Sequence, residues 1–214
     1  MIVIFDWDGT LCDSVESIVA SMQVAAAELQ LPVPEPAAVR EIVGLGLSQA
    51  MAQLFPELEE GLRQELAAAY SRHYAAPERT RTPLFPGALA TLETLRGRGL
   101  ELAVATGKSR RGLDRVLASL QLADFFDATR CADETRSKPH PLMLREIMAE
   151  RGKSPTEAVM VGDSEYDLAM AREAGVSSVG VSYGVHPSAR LASHQPLAII
   201  DELPQLLELL PLQS

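Results

Sequence analysis

Short runs of apolar residues alternate along the chain with stretches that have helical spacing. The runs lie at 2–5, 102–105, 158–161, 178–181 and 197–200 and show no polar alternation, which is typical of strands covered on both faces. Apolar positions with helical spacing predict helices with one buried face, at Leu89/Leu92/Leu95, Leu113/Val116/Leu117/Leu120, Leu142/Ile147/Met148 and Leu168/Ala171/Ala174. This alternation predicts a doubly wound, Rossmann-like α/β core with a parallel sheet.

One long segment departs from the alternation. Residues 14–80 contain no run typical of a strand, and their apolar positions, beginning with Val15 and Ile18, keep helical spacing throughout. The polar stretch 78–82, flanked by prolines, predicts a linker that returns to the core. We therefore predict an α/β core of residues 1–13 and 81–214 and an inserted helical domain of residues 14–80.

Composition and charge exclude several classes of function. With 19 Lys and Arg against 29 Asp and Glu, the formal charge is −10, so the basic surface that nucleic acid requires is missing. No stretch approaches about 18 unbroken apolar residues, and the N-terminus lacks the regions of a secretory signal. We expect a cytoplasmic protein with no nucleic-acid or membrane partner. Cys12 and Cys131 have neither metal nor redox spacing and are expected to be buried thiols.

Polar residues follow several of the predicted strands at the point where each strand ends. Taken singly, such residues are typical of helix caps. Because the carboxyl ends of parallel strands meet at one edge of a sheet, together they predict one pocket that gathers four carboxylates, a hydroxyl and an ammonium. These residues are Asp6, Asp8, Thr106, Lys138, Asp163 and Asp167.

Crowded carboxylates repel one another unless a cation compensates them. A divalent cation is the simplest compensation, and an all-oxygen ligand set predicts Mg²⁺ rather than Ca²⁺ or Zn²⁺. Such a site would bind an anionic substrate together with Lys138, the Thr106 hydroxyl and backbone N–H groups, and phosphate is the natural candidate. The chain has no G-x-x-x-x-G-K-[ST] motif, so the expected attacking group is a carboxylate that forms an aspartyl-phosphate.

Four segments of the chain carry these residues. They are DWDGTLCDS at 6–14, ATGK at 105–108, SKPHP at 137–141 and GDSEYDLAMAREAG at 162–175. The segments resemble the four motifs of the haloacid dehalogenase-like hydrolase superfamily, and VGVSYG at 179–184 resembles its phosphoglycolate phosphatase-like branch. The resemblance covers nearly the whole chain and implies a core domain whose inserted helices form a cap.

The resemblance implies a role for each site residue. Asp6 would be the nucleophile and Asp8 the general acid and base, while Thr106 and Lys138 would bind the phosphoryl group. Asp163 would complete a Mg²⁺ site to which Asp6 contributes its side chain and Asp8 its backbone carbonyl. The implied enzyme is a Mg²⁺-dependent phosphatase that hydrolyses a small phosphorylated metabolite, similar to phosphoglycolate. The Lys138 ammonium is also expected to keep Asp6 ionised.

Neighbouring residues have roles that the sequence defines less sharply. Asp167 is expected to orient Lys138 rather than to bind the ion. Gly107 stands where the family frequently has Asn, and its backbone N–H can still bind a phosphoryl oxygen. Lys108 either helps to bind phosphate or points to solvent, and residues 44–47 form either a loop that enters the site or an ordinary turn.

Cap arginines and the overall activity leave further alternatives. Arg40 and Arg72 either bind a second anionic group or, as we favour, belong to a solvated face. A sugar-phosphate mutase of the same superfamily would share the nucleophile but protect its intermediate from water. A phosphorelay receiver would combine acidic residues, Thr and Lys around Mg²⁺, although a helical insert is foreign to such a domain. The substrate and the oligomeric state remain open.

Overall fold

The computed structural model describes residues 1–76 and 82–210. The strands are Ile2–Phe5 (β1), Glu101–Thr106 (β2), Ala128–Cys131 (β3), Ala158–Gly162 (β4), Ser177–Val181 (β5) and Ala198–Ile200 (β6). The helices are Val15–Glu28 (α1), Pro36–Arg40 (α2), Leu47–Leu54 (α3), Glu60–Tyr74 (α4), Ala88–Gly97 (α5), Arg110–Ser119 (α6), Leu142–Arg151 (α7), Glu165–Ala174 (α8), Ser188–Ala192 (α9) and Leu206–Leu209 (α10). No helix within these ranges is long and apolar enough to cross a membrane.

The six strands form one parallel sheet in the order β3-β2-β1-β4-β5-β6. β1 lies in the interior of the sheet, and its last residue, Phe5, pairs with Val104 of β2 and with Val161 of β4. The strand order runs outward in both directions from β1, as in doubly wound folds. The predicted fold class is confirmed.

Helices cover both faces of the sheet, which explains the unbroken apolar runs. Val3 and Phe5 of β1 point into a cluster that includes Leu92 of α5, whereas Ile2 and Ile4 point into a second cluster on the opposite face with α7 and α8. All four β1 side chains are fully buried. Because successive side chains of a strand face opposite ways, a strand between two helical layers must be apolar at every position.

The sequence did not predict β3. This strand pairs only with β2 and lies at the edge of the sheet. Its central residues Thr129 and Arg130 are half-buried, and Arg130 forms ion pairs with Glu146 and Glu150 of α7. An edge strand with polar central residues lacks the apolar run that identified the interior strands.

Four helices, α1 to α4, occupy the chain between β1 and β2. Within the described range 14–76 there is no strand, and the helices share a buried cluster of their own that includes Met22, Val39, Met51 and Leu66. The helical character predicted for this segment is therefore confirmed over those residues. The predicted boundary at 80/81 and most of the predicted return linker lie outside the described residues.

Helix α5 corrects one detail of the predicted core. Leu92 and Leu95 are fully buried, but Leu89, which was expected on the same face, is 42% exposed. Leu89 lies in the first turn of the helix, near Gly87, which has a φ of +77°. The helix buries a narrower face than its leucine spacing predicts.

The two positions on α5 provide a matched test of this core. We expect Leu92→Ala to lower the free energy of unfolding by about 2–5 kcal/mol, because it leaves a cavity under the sheet. Leu89→Ala should change it by less than about 1 kcal/mol. Urea denaturation of both variants measures the difference, and equal losses would contradict the packing described.

Candidate active site

The predicted site residues lie where adjacent strands end. Asp6 directly follows β1, and its backbone N–H continues the ladder by donating to the carbonyl oxygen of Val161, 2.9 Å away. Asp163 directly follows β4, and Thr106 is the last residue of β2. Because β1 lies between β2 and β4, parallel pairing brings these three positions to one edge of the sheet.

Three carboxylates form a buried acidic cluster at this edge. Asp6, Asp163 and Asp167 each place one oxygen within 4.8 Å of the others. Lys138 is fully buried beside them, and its Nζ lies 2.7 Å from Asp6 Oδ1 and 2.7 Å from Asp167 Oδ1. Three distant segments of the chain, around residues 6, 138 and 163–167, therefore meet at this edge of the sheet. Asp6 and Asp163, which the sequence assigned to a common pocket, lie together.

Asp163 is fixed by two loops from opposite ends of the chain. Its Oδ1 accepts a hydrogen bond of 2.8 Å from the Thr10 hydroxyl, and its Oδ2 accepts one of 2.8 Å from the Val185 N–H. The loops can approach this closely because both contain glycine. A Cβ atom would lie 2.2 Å from Asp163 Oδ2 at Gly9 and 2.1 Å from Asp163 Cβ at Gly184, so either would collide with the carboxylate side chain.

Asp167 is held by the first turn of α8. The Ser164 N–H and hydroxyl donate to Asp167 Oδ2 at 3.1 and 2.6 Å, and Ser164 caps the helix. This leaves Oδ1 facing Lys138. The arrangement suits the predicted role of Asp167 in orienting Lys138.

The acidic cluster carries more negative than positive charge. Three carboxylates face one ammonium, which leaves a formal charge of −2 when all are ionised. Burial raises the pKa of Asp6 well above its ordinary value, and Lys138 offsets only part of this shift. Burial, with the neighbouring Asp167, raises the pKa of Asp163 to about 7. Lys138 therefore favours the ionised form of Asp6 but counters only part of the effect of burial.

The cluster has the features of a site for a divalent cation. Its ligands are carboxylate oxygens, and Asp6 Oδ2 is buried and accepts no hydrogen bond from any residue in the described ranges. A charge of +2 would balance the formal charge of the cluster and favour the ionised form of Asp6. A hard cation such as Mg²⁺ fits this donor set.

The Asp8 carboxylate lies outside this group of oxygens within 4.8 Å of one another and has partners of its own. Its Oδ1 accepts a hydrogen bond from the Ser14 hydroxyl and lies 3.0 Å from Lys108 Nζ. Lys108 Nζ also donates to the Tyr74 hydroxyl, 2.9 Å away on α4. Asp8 thus has its own counter-ion, and the pair is balanced.

Lys108 is buried, so the alternative that it points to solvent is wrong. Its side chain is only 8% exposed, between Asp8 and Tyr74. Burial would lower the pKa of Lys108, but the Asp8 carboxylate and the two tyrosines Tyr74 and Tyr70 outweigh burial and raise it. The lysine therefore stays charged and joins α4 to the loop after β1.

The loop at 44–47 reaches the residues predicted to bind phosphate. A Cβ atom at Gly107 would lie 2.6 Å from the carbonyl oxygens of both Gly44 and Leu45, which leaves no room for the Asn that the family frequently has there. The Gly46 N–H donates to the Ser137 hydroxyl at 2.7 Å, beside Lys138. The segment is therefore more than a turn between helices, because it packs on two loops of the site.

Thr106 is fully buried at the end of β2, and its hydroxyl oxygen accepts a hydrogen bond of 3.2 Å from the Lys108 N–H. Both cap arginines form ion pairs at partly exposed positions, Arg40 with Glu16 and Arg72 with Glu28. Arg72 also lines the large cavity beside Asp8.

Several residues that shape the site escaped sequence reasoning. Thr10 and Ser14 lie within the first motif, where hydroxyl side chains so close to two aspartates were a usable signal. Tyr74 offered no such signal, because it lies in the middle of a helical segment and reaches Asp8 only through Lys108. His186 is buried and accepts a hydrogen bond from the Glu165 N–H, which helps to hold the start of α8.

A comparison with known families identifies the architecture around this site. The sequence profile described as "Haloacid dehalogenase-like hydrolase" matches residues 3–181, a range that includes Asp6, Asp8, Thr106, Lys138, Asp163 and Asp167. The chain belongs to this family. The match is to these hydrolases rather than to the phosphorelay receivers considered from the sequence.

This haloacid dehalogenase-like hydrolase is similar to curated bacterial phosphatases. It is 35% identical to the "Probable phosphatase IndB" of Dickeya dadantii (strain 3937), over 94% of this chain and 89% of that protein. It is 32% identical to the phosphoglycolate phosphatase of Vibrio vulnificus (strain CMCP6), over 97% of this chain and 94% of that protein. These relatives confirm the expectation of an enzyme of the phosphatase class.

Solved structures of the family share the fold. The crystal structure of a "predicted phosphoglycolate phosphatase" from Haemophilus somnus 129pt superimposes with a TM-score of 0.88 at 26% identity. The superposition covers 97% of this chain and 96% of that chain. The hydrolase therefore resembles this structure over its sheet and its helical segment alike.

The raised pKa of Asp163 predicts how stability depends on pH. The folded chain holds this proton more tightly than the unfolded chain, whose Asp pKa is about 3.9. Without a divalent cation, Asp163 should therefore oppose folding increasingly as the pH rises from about 4 to about 7. Between about pH 5 and pH 8, the free energy of unfolding of the wild-type protein should fall by on the order of 2 kcal/mol relative to that of Asp163→Asn.

Denaturant unfolding in a chelating buffer measures this difference. Asn replaces two carboxylate oxygens by one carbonyl oxygen and one NH2, which changes its baseline stability equally at every pH. The slope of the free energy of unfolding against pH, rather than its level, is therefore diagnostic. Asp124→Asn, at an exposed position, is the control and should follow the wild-type slope. Parallel profiles for wild type and Asp163→Asn would contradict the prediction.

Proposed function

We propose that this chain is a Mg²⁺-dependent phosphatase that hydrolyses a small phosphorylated metabolite through an aspartyl-phosphate on Asp6. The observation that carries the proposal is the buried Asp6 carboxylate beside Lys138, in a cluster with a formal charge of −2. Relatives named phosphoglycolate phosphatase support a small phosphomonoester as substrate. A cytoplasmic location stays a prediction from the sequence.

The cation would be held by the side chains of Asp6 and Asp163 and by the backbone carbonyl of Asp8. Asp6 and Asp163 contribute carboxylate oxygens to the acidic cluster. The role of the Asp8 carbonyl is the one that the resemblance implies. When bound, Mg²⁺ would supply positive charge to the phosphoryl oxygens and to the crowded carboxylates.

In the first half-reaction, an Asp6 carboxylate oxygen attacks phosphorus and the bond from phosphorus to the ester oxygen breaks. Lys138, the Thr106 hydroxyl and the Gly107 backbone N–H would hold the phosphoryl oxygens as charge develops on them. Asp8 begins this step in its protonated form and donates that proton to the departing alkoxide, so the alcohol leaves neutral and Asp8 becomes ionised. The Ser14 hydroxyl and Lys108 keep Asp8 in place.

In the second half-reaction, water attacks the phosphorus of the aspartyl-phosphate. Asp8, now ionised, accepts the proton from that water, and the bond from phosphorus to Asp6 breaks. Inorganic phosphate leaves, and both aspartates return to their starting state. Lys108, which is 3.0 Å from Asp8, stabilises the ionised form that exists between the two steps.

The helical segment would act as the cap of this site. We assign residues 14–80 to the cap and residues 1–13 and 81–214 to the core. Two contacts support the assignment: Tyr74 of α4 reaches Lys108, and the loop at 44–47 packs on Gly107. Such a cover excludes bulk water and provides contacts for the leaving group.

Replacing the nucleophile tests the proposal. We expect Asp6→Asn to lower kcat for phosphate release by at least about 1,000-fold, because an amide oxygen cannot form the acyl phosphate. Lys138 keeps Asp167 as its partner, so the variant should fold. The exposed Asp13 offers the control Asp13→Asn, which should keep wild-type turnover.

When turnover of a phosphomonoester that is labelled in its phosphoryl group is quenched with acid, the wild-type protein should retain the label. The Asp6→Asn protein should retain none. Full activity of the Asn variant would end the proposal. Release of inorganic phosphate distinguishes a phosphatase from a mutase, which would yield an isomerised phosphate ester instead.

Metal binding has a separate test. Mg²⁺ at about one hundred times its Kd should stabilise the wild-type fold by about 2.7 kcal/mol, which raises the Tm measured by calorimetry. Asp163→Asn removes one anionic ligand and should show a clearly smaller rise at the same Mg²⁺ concentration. An equal rise in both proteins would place the ion elsewhere.

A further inference from the structure

A large cavity opens directly beside Asp8. Its volume is about 560 Å³, within the range of about 300–1,000 Å³ typical of small-molecule sites. Asp8, Gly107 and Lys108 line the end nearest the proposed chemistry, and α1, α4 and the loop at 42–47 form the remaining walls with α6. Under the proposed mechanism Asp8 protonates the leaving alcohol, so the leaving group must lie in this cavity.

Two of the walls are entirely apolar. Ile18 and Met22 line the cavity from α1, and Val43 and Leu45 line it from the loop, each less than 9% exposed. Among the described residues that line the cavity, neither α1 nor the range 42–50 contributes a charged or polar side chain. Protein interiors seldom leave space of this size unfilled. The natural occupant of the space between these walls is therefore an apolar group of a bound ligand.

The cations that line the cavity lie on the loop after β2, on α4 and on α6 rather than on the two apolar walls. Lys108 Nζ lies 3.0 Å from Asp8 Oδ1 and donates to the Tyr74 hydroxyl. Arg72 of α4 is paired with Glu28, and Arg111 and Arg115 lie on α6. A carboxylate on a leaving group that packs against α1 or residues 42–50 would meet no charged or polar side chain there, which is unfavourable.

We propose that this cavity binds an apolar leaving group, so that the preferred substrates are phosphomonoesters of alkyl or aryl alcohols rather than of short hydroxy acids. The assignment rests on the proposed phosphatase activity at Asp6. It departs from the glycolate ester in the names of several relatives, because glycolate is both smaller than the cavity and charged.

A homologous series of substrates tests the proposal. Ethyl, butyl and hexyl phosphate have alcohols of similar acidity and differ in apolar length, and phosphoglycolate replaces the methyl group of ethyl phosphate by a carboxylate. With Mg²⁺ present, each buried methylene should raise kcat/KM by at most about fourfold. We expect hexyl phosphate to exceed ethyl phosphate by at least about tenfold, and ethyl phosphate to exceed phosphoglycolate by at least about threefold. A flat series, or phosphoglycolate as the best substrate, would overturn the assignment.

Two variants of α1 place the effect in the cavity. Met22→Gln keeps the length of the side chain but puts an amide on the apolar wall, and should lower the ratio of hexyl to ethyl kcat/KM by at least about threefold. Val24→Gln, on the same helix but 38% exposed and outside the cavity lining, should keep the wild-type ratio. An unchanged ratio in a folded Met22→Gln protein would overturn the assignment. If Met22→Gln does not fold, the series on wild type decides alone.

A binding measurement separates failure of this assignment from failure of the proposed reaction. Hexylphosphonate and ethylphosphonate have no cleavable ester, and hexylphosphonate should raise the Tm of the wild-type protein by the greater amount. Equal shifts would overturn the apolar site whatever the turnover. Absence of phosphate release from every ester, with unequal shifts, would overturn the phosphatase reaction and with it the substrate class, while leaving the apolar cavity as a binding site.

Discussion

The site depends on one buried ammonium group that is shared by two carboxylates. Lys138 is fully buried, and its Nζ lies between Asp6 at the end of β1 and Asp167 in the first turn of α8. Charges removed from water in this way are tolerated only when oppositely charged groups meet them at hydrogen-bond distance. The lysine therefore fixes the relative positions of a strand end, a helix start and its own loop, and still leaves the acidic cluster with excess negative charge. That excess is the physical reason for assigning a divalent cation to the cluster.

A second charge centre next to the first has the opposite character. When Asp8 is ionised, it and Lys108 neutralise each other, and Tyr74 and Ser14 complete their hydrogen bonds. The two centres divide the proposed reaction between them, because phosphorus is attacked at the unbalanced cluster and the proton is transferred at the balanced pair. The large cavity adjoins the balanced pair, so the groups that handle the proton also border the space for the leaving alcohol. In the proposed reaction, proton transfer and selection of the leaving alcohol thus both involve Asp8.

The sequence predicts those parts of this molecule that depend on local pattern or on strand polarity. Interior strands were found because both faces are buried, and Asp6 was placed near Asp163 because parallel strands end at one edge. β3 was missed because the half-buried Thr129 and Arg130 interrupt its apolar pattern. The partners of the Asp8 carboxylate were not predicted, because they depend on Lys108 and on its contact with Tyr74 of α4. No spacing along a helix encodes that tertiary contact.

The position of β1 within the sheet has a consequence for how the chain can assemble. The first strand in the sequence pairs with Glu101–Thr106 on one side and with Ala158–Gly162 on the other. A nascent chain that ends before Ala158 therefore leaves one edge of its most apolar strand without hydrogen-bond partners, and leaves Asp6 without Asp163. Such distant pairings cost chain entropy before they gain any contact energy, which slows folding. Full pairing of β1 and assembly of the acidic cluster therefore both require the part of the chain from Ala158 onward.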